Sequence, residues 1–172
     1  MSVKAEKLSG ALIGCGYFGQ IQLEAWERID GAKIVTTCDA DLAKAAAASA
    51  HPYADAKAML DRERVDFVDI ATRPDTHLPL VRLCVERGLP VIFQKPMAPD
   101  LTTAHEIVKL AEDSQVPVMV HENWRWQPWH REMKRRLEAG DIGAPFGYHF
   151  TMMNNDGLGP SPYPNQPYFA SM

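Results

Sequence analysis

Ala11-Leu12-Ile13-Gly14-Cys15-Gly16-Tyr17-Phe18-Gly19 decides the reading of the fold. A short apolar run enters a GxGxxG turn, and a segment with Ile21, Ala25, Trp26 and Ile29 at helical spacing leaves it. In a strand–turn–helix the three glycines do different things. Gly14 permits the tight turn, Gly16 lets the backbone approach a pyrophosphate, and Gly19 lets helix and strand pack closely. The phosphates would rest on the free N–H groups at the helix start, where the helix dipole favours negative charge. Glycine turns are common, so the motif alone is weak. It gains weight from Asp39, which ends the next apolar run, Val35-Thr36-Thr37-Cys38, where a carboxylate accepts hydrogen bonds from an adenosine ribose. A carboxylate there repels a 2′-phosphate, so NAD is the expected cofactor. Lys44, a turn further on, keeps NADP as the second choice.

Outward from this turn, short apolar runs alternate with helical segments. Gly10–Gly14, Ala32–Cys38, Asp66–Ala71, Pro90–Phe93 and Pro117–His121 are rich in Val and Ile and bounded by Gly, Pro or Asp, as buried parallel strands are. Helices are expected over Phe18–Ile29, Asp41–Ala50, Thr76–Arg87 and Asp100–Ser114, with Thr76 and Asp100 as N-caps and Gly88 as a stop. Strand alternating with helix predicts right-handed crossovers and a doubly wound parallel α/β sheet, a Rossmann fold. After residue 121 the character changes. Three tryptophans crowd into His121–Trp129, a helix is expected over Trp129–Ala139, and Phe146–Met153 alternates like a strand. The division expected is a nucleotide-binding domain over 1–122 and the start of a second domain over 123–172. On this reading the chain is the front half of a two-domain protein.

Composition narrows the function. Of 172 residues, 46% are hydrophobic and 23% charged, the balance of a globular protein, and no apolar run approaches the length of a membrane span. The first nine residues lack the apolar core of a secretory signal, and the three cysteines form no CxxC pair, which together predict a cytoplasmic protein without disulfides. A formal net charge of −4 argues against nucleic acid and membrane surfaces as partners. The basic, tryptophan-rich stretch His121–Arg136 resembles a single-strand platform only locally. It reads more simply as a packed junction with a solvated basic face. His121-Glu122-Asn123-Trp124-Arg125 begins like HExxH but lacks the second histidine, so no metal site is expected. Cys15 lies near a helix N-terminus, where a thiol can be activated, or is simply a small residue in a crowded turn.

Two further segments fall at the carboxyl ends of strands, where open α/β sheets bind ligands. Thr72-Arg73-Pro74-Asp75-Thr76-His77 follows one strand; it reads either as a ligand loop or as a capped helix start with a surface histidine. Phe93-Gln94-Lys95-Pro96 ends the next. Taken alone, Lys95 reads as a solvated lysine before a strand-ending proline.

Taken together, the glycine loop, Asp39, Thr72-Arg73-Pro74-Asp75-Thr76-His77 and Gln94-Lys95-Pro96 resemble the Gfo/Idh/MocA oxidoreductases, the family of glucose–fructose oxidoreductase and inositol dehydrogenase. The last two motifs match its Thr/Ser-Pro-x-x-x-His-type loop, with one residue inserted, and its Glu-Lys-Pro motif. The resemblance implies an NAD(P)-binding Rossmann domain followed by an α/β domain for substrate and oligomerisation, hydride transfer to or from a sugar, polyol or other small alcohol or ketone, and a chain that binds nucleotide but is catalytically incomplete. It implies that Lys95 is catalytic, orienting substrate and nicotinamide. It assigns Gly14, Cys15, Gly16, Tyr17, Phe18, Gly19, Asp39, Thr72, Pro74, His77, Gln94 and Lys95 to the cofactor, and Asn123, Arg125 and Trp126 to the substrate. A homo-oligomer is implied as well. Two departures stand out: Gln94 replaces the family's glutamate, and its downstream Asp…His pair has no counterpart here. Both leave a non-catalytic NAD-binding regulatory module as the alternative.

Overall fold

A computed structural model describes residues 7–153. Two units make up the chain, residues 1–121 and 122–172. The first holds six strands: β1 (Leu8–Ile13), β2 (Ala32–Cys38), β3 (Pro52–Tyr53), β4 (Phe67–Ile70), β5 (Val91–Gln94) and β6 (Val118–His121). Five helices alternate with them: α1 (Tyr17–Glu27), α2 (Leu42–Ala48), α3 (Ala56–Arg62), α4 (His77–Val85) and α5 (Leu101–Ser114). All pairings are parallel, in the order β3-β2-β1-β4-β5-β6. The order reverses between β1 and β4, and such a switch point opens a crevice at the carboxyl ends of the strands. The predicted doubly wound Rossmann fold is therefore the observed one.

The core is the apolar filling of the sheet and its helices. Leu12, Val68, Ile70, Phe93, Val81 and Ile107 are buried to within about 1% of completeness. Each such side chain contributes roughly 1.5–3 kcal/mol of transfer free energy. Helix starts follow the side-chain caps: Asp41 accepts from the Ala43 N–H, Asp55 from Ala58 and Asp100 from Thr103. Thr76 does not cap α4 with its side chain. Its hydroxyl donates to the Arg73 carbonyl oxygen at 2.8 Å, closing a 3-10 turn over Pro74–Thr76 that precedes the helix.

One segment carries no clear signal in its sequence. Strand β3 has two residues, begins on a proline and lies at the sheet edge beside β2, where a missing N–H is tolerated. Helix α3 has seven residues and buries only Met59 and Leu60, too few for a period.

In the second unit a 3-10 turn over Asn123–Trp126 leads into α6 (Pro128–Glu138), with Pro128 at its first turn. A positive φ of 77° at Gly140 follows the helix. The strand expected over Phe146–Met153 does not form. Among the described residues no strand lies beside it, so its backbone groups have no ladder to join, and Phe146 and Tyr148 lie open to solvent. Trp124 and Trp129 meet edge to face at 6.5 Å, and the Arg125 guanidinium lies 5.0 Å over the Trp126 ring.

Candidate NAD-binding site

The glycine loop joins β1 to α1. Gly14 has a φ of +97°, and a Cβ there would stand 2.7 Å from the Ala71 carbonyl oxygen, so both conformation and contact demand glycine. At Gly19 a Cβ would fall 2.0 Å from the Gly14 carbonyl oxygen, the close helix–strand approach anticipated for the third glycine. Gly16 differs: its φ of −74° suits any residue, and a Cβ would meet no protein atom within 4 Å. Nothing in the chain requires a glycine at 16. The open space lies above the first turn of α1, whose N-cap Gly16 offers no side chain to the free N–H groups there. That cradle fits a pyrophosphate, and the residues present suit a dinucleotide.

Asp39 just follows β2 and is half-buried. One carboxylate oxygen accepts the Cys15 N–H at 2.8 Å and the other the Asp41 N–H at 2.9 Å. It thus ties the second strand to the glycine loop, and each oxygen keeps a further lone pair for a ribose hydroxyl. Lys44 leans on Asp41, 3.7 Å away. Cys15 is wholly buried, with its Sγ 3.7 Å from the Cys38 carbonyl oxygen. Burial first, then the negative charge of Asp39, pushes its thiol up to about 11. It is a packing residue, the second of the two readings open to it. Tyr17 is exposed and Phe18 half-buried on the first turn of the helix.

The loop after β4 is internally bonded. The Thr76 hydroxyl oxygen accepts from the Thr72 hydroxyl at 2.7 Å, and Arg73 pairs with Asp75 at 3.2 Å on the surface. Pro74 starts the 3-10 turn. His77 is not a surface residue. It is fully buried, edge-on to Phe93 with 5.2 Å between ring centres. Its Nδ1 lies 3.1 Å from the Met97 carbonyl oxygen and its Nε2 3.3 Å from that of Thr72. It bridges the loop after β4 to the loop after β5.

Gln94 ends β5, buried, with its Oε1 accepting the Lys95 N–H at 3.2 Å. Lys95 follows, exposed, before a cis Lys95–Pro96 peptide. The Gln94 Nε2 lies 3.1 Å from His121 Nδ1 across the β5–β6 pair. Behind them lies a polar group that sequence reasoning missed. Asp69, in the middle of β4 and 1% exposed, accepts from Gln22 Nε2 at 2.8 Å on both oxygens and from Trp26 Nε1 at 2.7 Å. Burial raises its carboxyl above the ordinary value, against the pull of these donors and of His121. The one available signal was an acidic residue inside the apolar run Phe67–Ile70.

The structure gathers Gly14–Gly19, Asp39, Thr72–His77 and Gln94–Lys95 at the carboxyl edge of one sheet. Asn123, Arg125 and Trp126 belong to the second unit. No group of three metal-ligating side chains occurs among the described residues, and no described helix is long and apolar enough to cross a membrane.

Known proteins agree with this geometry. Residues 8–122 match the family model for the oxidoreductase family, NAD-binding Rossmann fold. A D-apiose dehydrogenase of Paraburkholderia graminis is 47% identical over 146 residues, which cover 82% of this chain and 39% of that protein. A D-apiose dehydrogenase of Rhizobium rhizogenes is 38% identical over 169 residues, 95% of this chain and 48% of the relative. A crystal structure of an oxidoreductase from Agrobacterium radiobacter in complex with NAD+, L-tartaric acid and magnesium superposes with a TM-score of 0.78 at 40% identity, covering 82% of this chain and 43% of that one. The chain thus spans less than half the length of these relatives. With the family match over the whole Rossmann unit and the glycine loop and Asp39 in position, this chain belongs to the Gfo/Idh/MocA family of oxidoreductases, of which it carries the NAD-binding domain.

Proposed function

We propose that the chain supplies the nucleotide-binding half of an NAD-dependent dehydrogenase that moves a hydride between nicotinamide and a CH–OH group of a sugar or polyol. The observation that carries this reading is the pairing of an open space at Gly16 with a half-buried Asp39 tied to the same loop. D-apiose dehydrogenases as relatives favour a sugar as substrate.

Bound there, the dinucleotide would supply the hydride-accepting or hydride-donating ring. The chain's own residues bind and orient. The α1 N-terminus and Gly16 hold the phosphates, and Asp39 takes the ribose hydroxyls and disfavours a 2′-phosphate. Thr72 and Pro74 shape the loop that follows β4, and His77 fixes that loop to the one after β5. Lys95 offers an exposed ammonium, a compact donor for a substrate hydroxyl or carbonyl oxygen. Asn123, Arg125 and Trp126 are proposed for contacts to the substrate. The family pattern also implies a homo-oligomer, which light scattering tests.

Titration with NADH and NADPH, followed by nicotinamide fluorescence, checks the reading. Saturable binding that favours NADH is expected. Asp39→Ala should weaken NADH about tenfold or more, a loss of ~1.4 kcal/mol. In the complete dehydrogenase, Lys95→Ala should leave NADH affinity within about threefold while lowering turnover of a sugar substrate much further. Failure to bind either nucleotide by a folded chain overturns the proposal.

A further inference from the structure

The last residues of β5 and β6, Gln94 and His121, stand side by side in register at the carboxyl edge of the sheet. The direction of their hydrogen bond follows from a fixed donor. The Lys95 backbone N–H can only donate, and it points at one end of the Gln94 amide at 3.2 Å. That end must be the oxygen, so the end facing His121 Nδ1 at 3.1 Å is the NH2 group. Turning the amide over would set N–H against N–H at Lys95.

The same logic reaches His121 from the other side. Gln22 Nε2 is committed as a donor by both oxygens of Asp69, and it approaches the same His121 Nδ1 at 3.4 Å. With one Gln22 N–H shared by the two Asp69 oxygens and the other facing His121, two amide NH2 groups converge on one ring nitrogen, a geometry that suits an acceptor there. A ring with its hydrogen on Nδ1 would oppose both. An acceptor at Nδ1 leaves the ring hydrogen for Nε2, which has no hydrogen-bond partner among the described residues. His121 is only half-buried, and its strand ends beside the one that leads into Lys95.

We propose that Gln94 is a positioning residue that fixes the His121 tautomer, so that His121 Nε2–H acts beside Lys95 as a second donor to an oxygen acceptor of the ligand bound at this edge. The proposal rests on the dinucleotide reading above and deepens it. It also gives the departure from the family's glutamate a consequence. A carboxylate at position 94 would present an acceptor to His121 and draw the ring hydrogen to Nδ1, turning the free Nε2 from donor into acceptor. The chemistry served is an oxygen lone pair, supplied either by the nicotinamide carboxamide or by the substrate.

Nitrogen-15 NMR of the histidine-labelled chain tests this, with His121 assigned by the signals lost in His121→Gln. The expected spectrum shows His121 Nδ1 at the unprotonated position and Nε2 at the protonated one. Gln94→Glu should reverse the pair, and Gln94→Leu, which keeps a buried apolar side chain if the acid does not fold, should give a mixture. A hydrogen on Nδ1 in the unaltered protein, or a tautomer indifferent to both substitutions, overturns the proposal. Adding NAD+ alone, then NAD+ with a polyol, locates the acceptor. A shift of the Nε2–H signal with NAD+ assigns it to the cofactor, and a shift only with both assigns it to the substrate. Saturable NAD+ binding with no shift in either mixture overturns the donor role. Absence of NAD+ binding by fluorescence instead sinks the dinucleotide reading, a result separate from the tautomer itself.

Discussion

Gly14 and Gly16 are two residues apart in one loop and answer to different constraints. Gly14 is demanded by the chain, through a φ of +97° and a Cβ position 2.7 Å from backbone. Gly14→Ala should therefore destabilise the fold by about 1–3 kcal/mol, read from denaturant unfolding. Gly16→Val should leave unfolding nearly unchanged, since its Cβ meets no protein atom, yet weaken NADH by about tenfold or more. Equal effects on stability from the two changes would contradict the division of labour. The residues of this site differ in how far the sequence reveals them. The glycines and Asp39 are legible because their roles are local: a turn, a helix start, the end of a strand. His77, Gln22 and Asp69 are not, because their partners lie far along the chain. Asp69 reaches Gln22 across 47 positions, and His77 reaches Met97 across 20. Only the packed sheet brings such groups together.

At the scale of elements, the long helices and central strands announce themselves by period and by caps, and the short edge segment does not. Strand β3 and helix α3 depend on their neighbours rather than on propensity. Tyr53 donates its hydroxyl to Glu63 at 2.7 Å, closing this segment on itself through a contact no periodicity encodes. Phe146–Met153 fails in the opposite direction: its alternation is real, but a strand is a property of a pair. Helix α5 ends without glycine, on Gln115 in the left-handed conformation with a φ of 59°. A side chain there costs energy that glycine avoids, so Gln115→Gly should raise stability by about 0.5–1 kcal/mol in urea unfolding. The loss of the Gln115 bond to the Glu112 carbonyl oxygen, at the exposed surface, offsets little of that. A fall in stability would show that the side-chain bond matters more than the backbone.

Within the Rossmann unit, the sheet encloses the buried carboxylate of Asp69, whose proton is linked to folding. Burial holds Asp69 above the ordinary value of 3.8, so the folded state keeps its proton longer than the unfolded one. Its contribution is most favourable below that value and is lost as pH rises from there through the folded value. Asp69→Asn removes this dependence. The stability of the variant relative to the parent should climb with pH across that window and then level off, which denaturant unfolding at several pH values measures. A difference independent of pH would mean that Asp69 ionises alike in both states.

The three thiols have a further consequence. Cys15, Cys38 and Cys84 are all free and buried, and burial pushes them up to about 11, 12 and 12. None can react with an alkylating reagent until the protein around it opens. Cys15, in the glycine loop, packs in the smaller core cluster, while Cys84 on α4 packs in the larger one, as does Cys38 at the end of β2. The molecule thus carries its own pair of clocks. Timed alkylation with peptide mapping would report how often each part of the fold breathes, with no probe added. NADH should slow the clock at Cys15 more than the one at Cys84, because a ligand restrains first the openings that would release it.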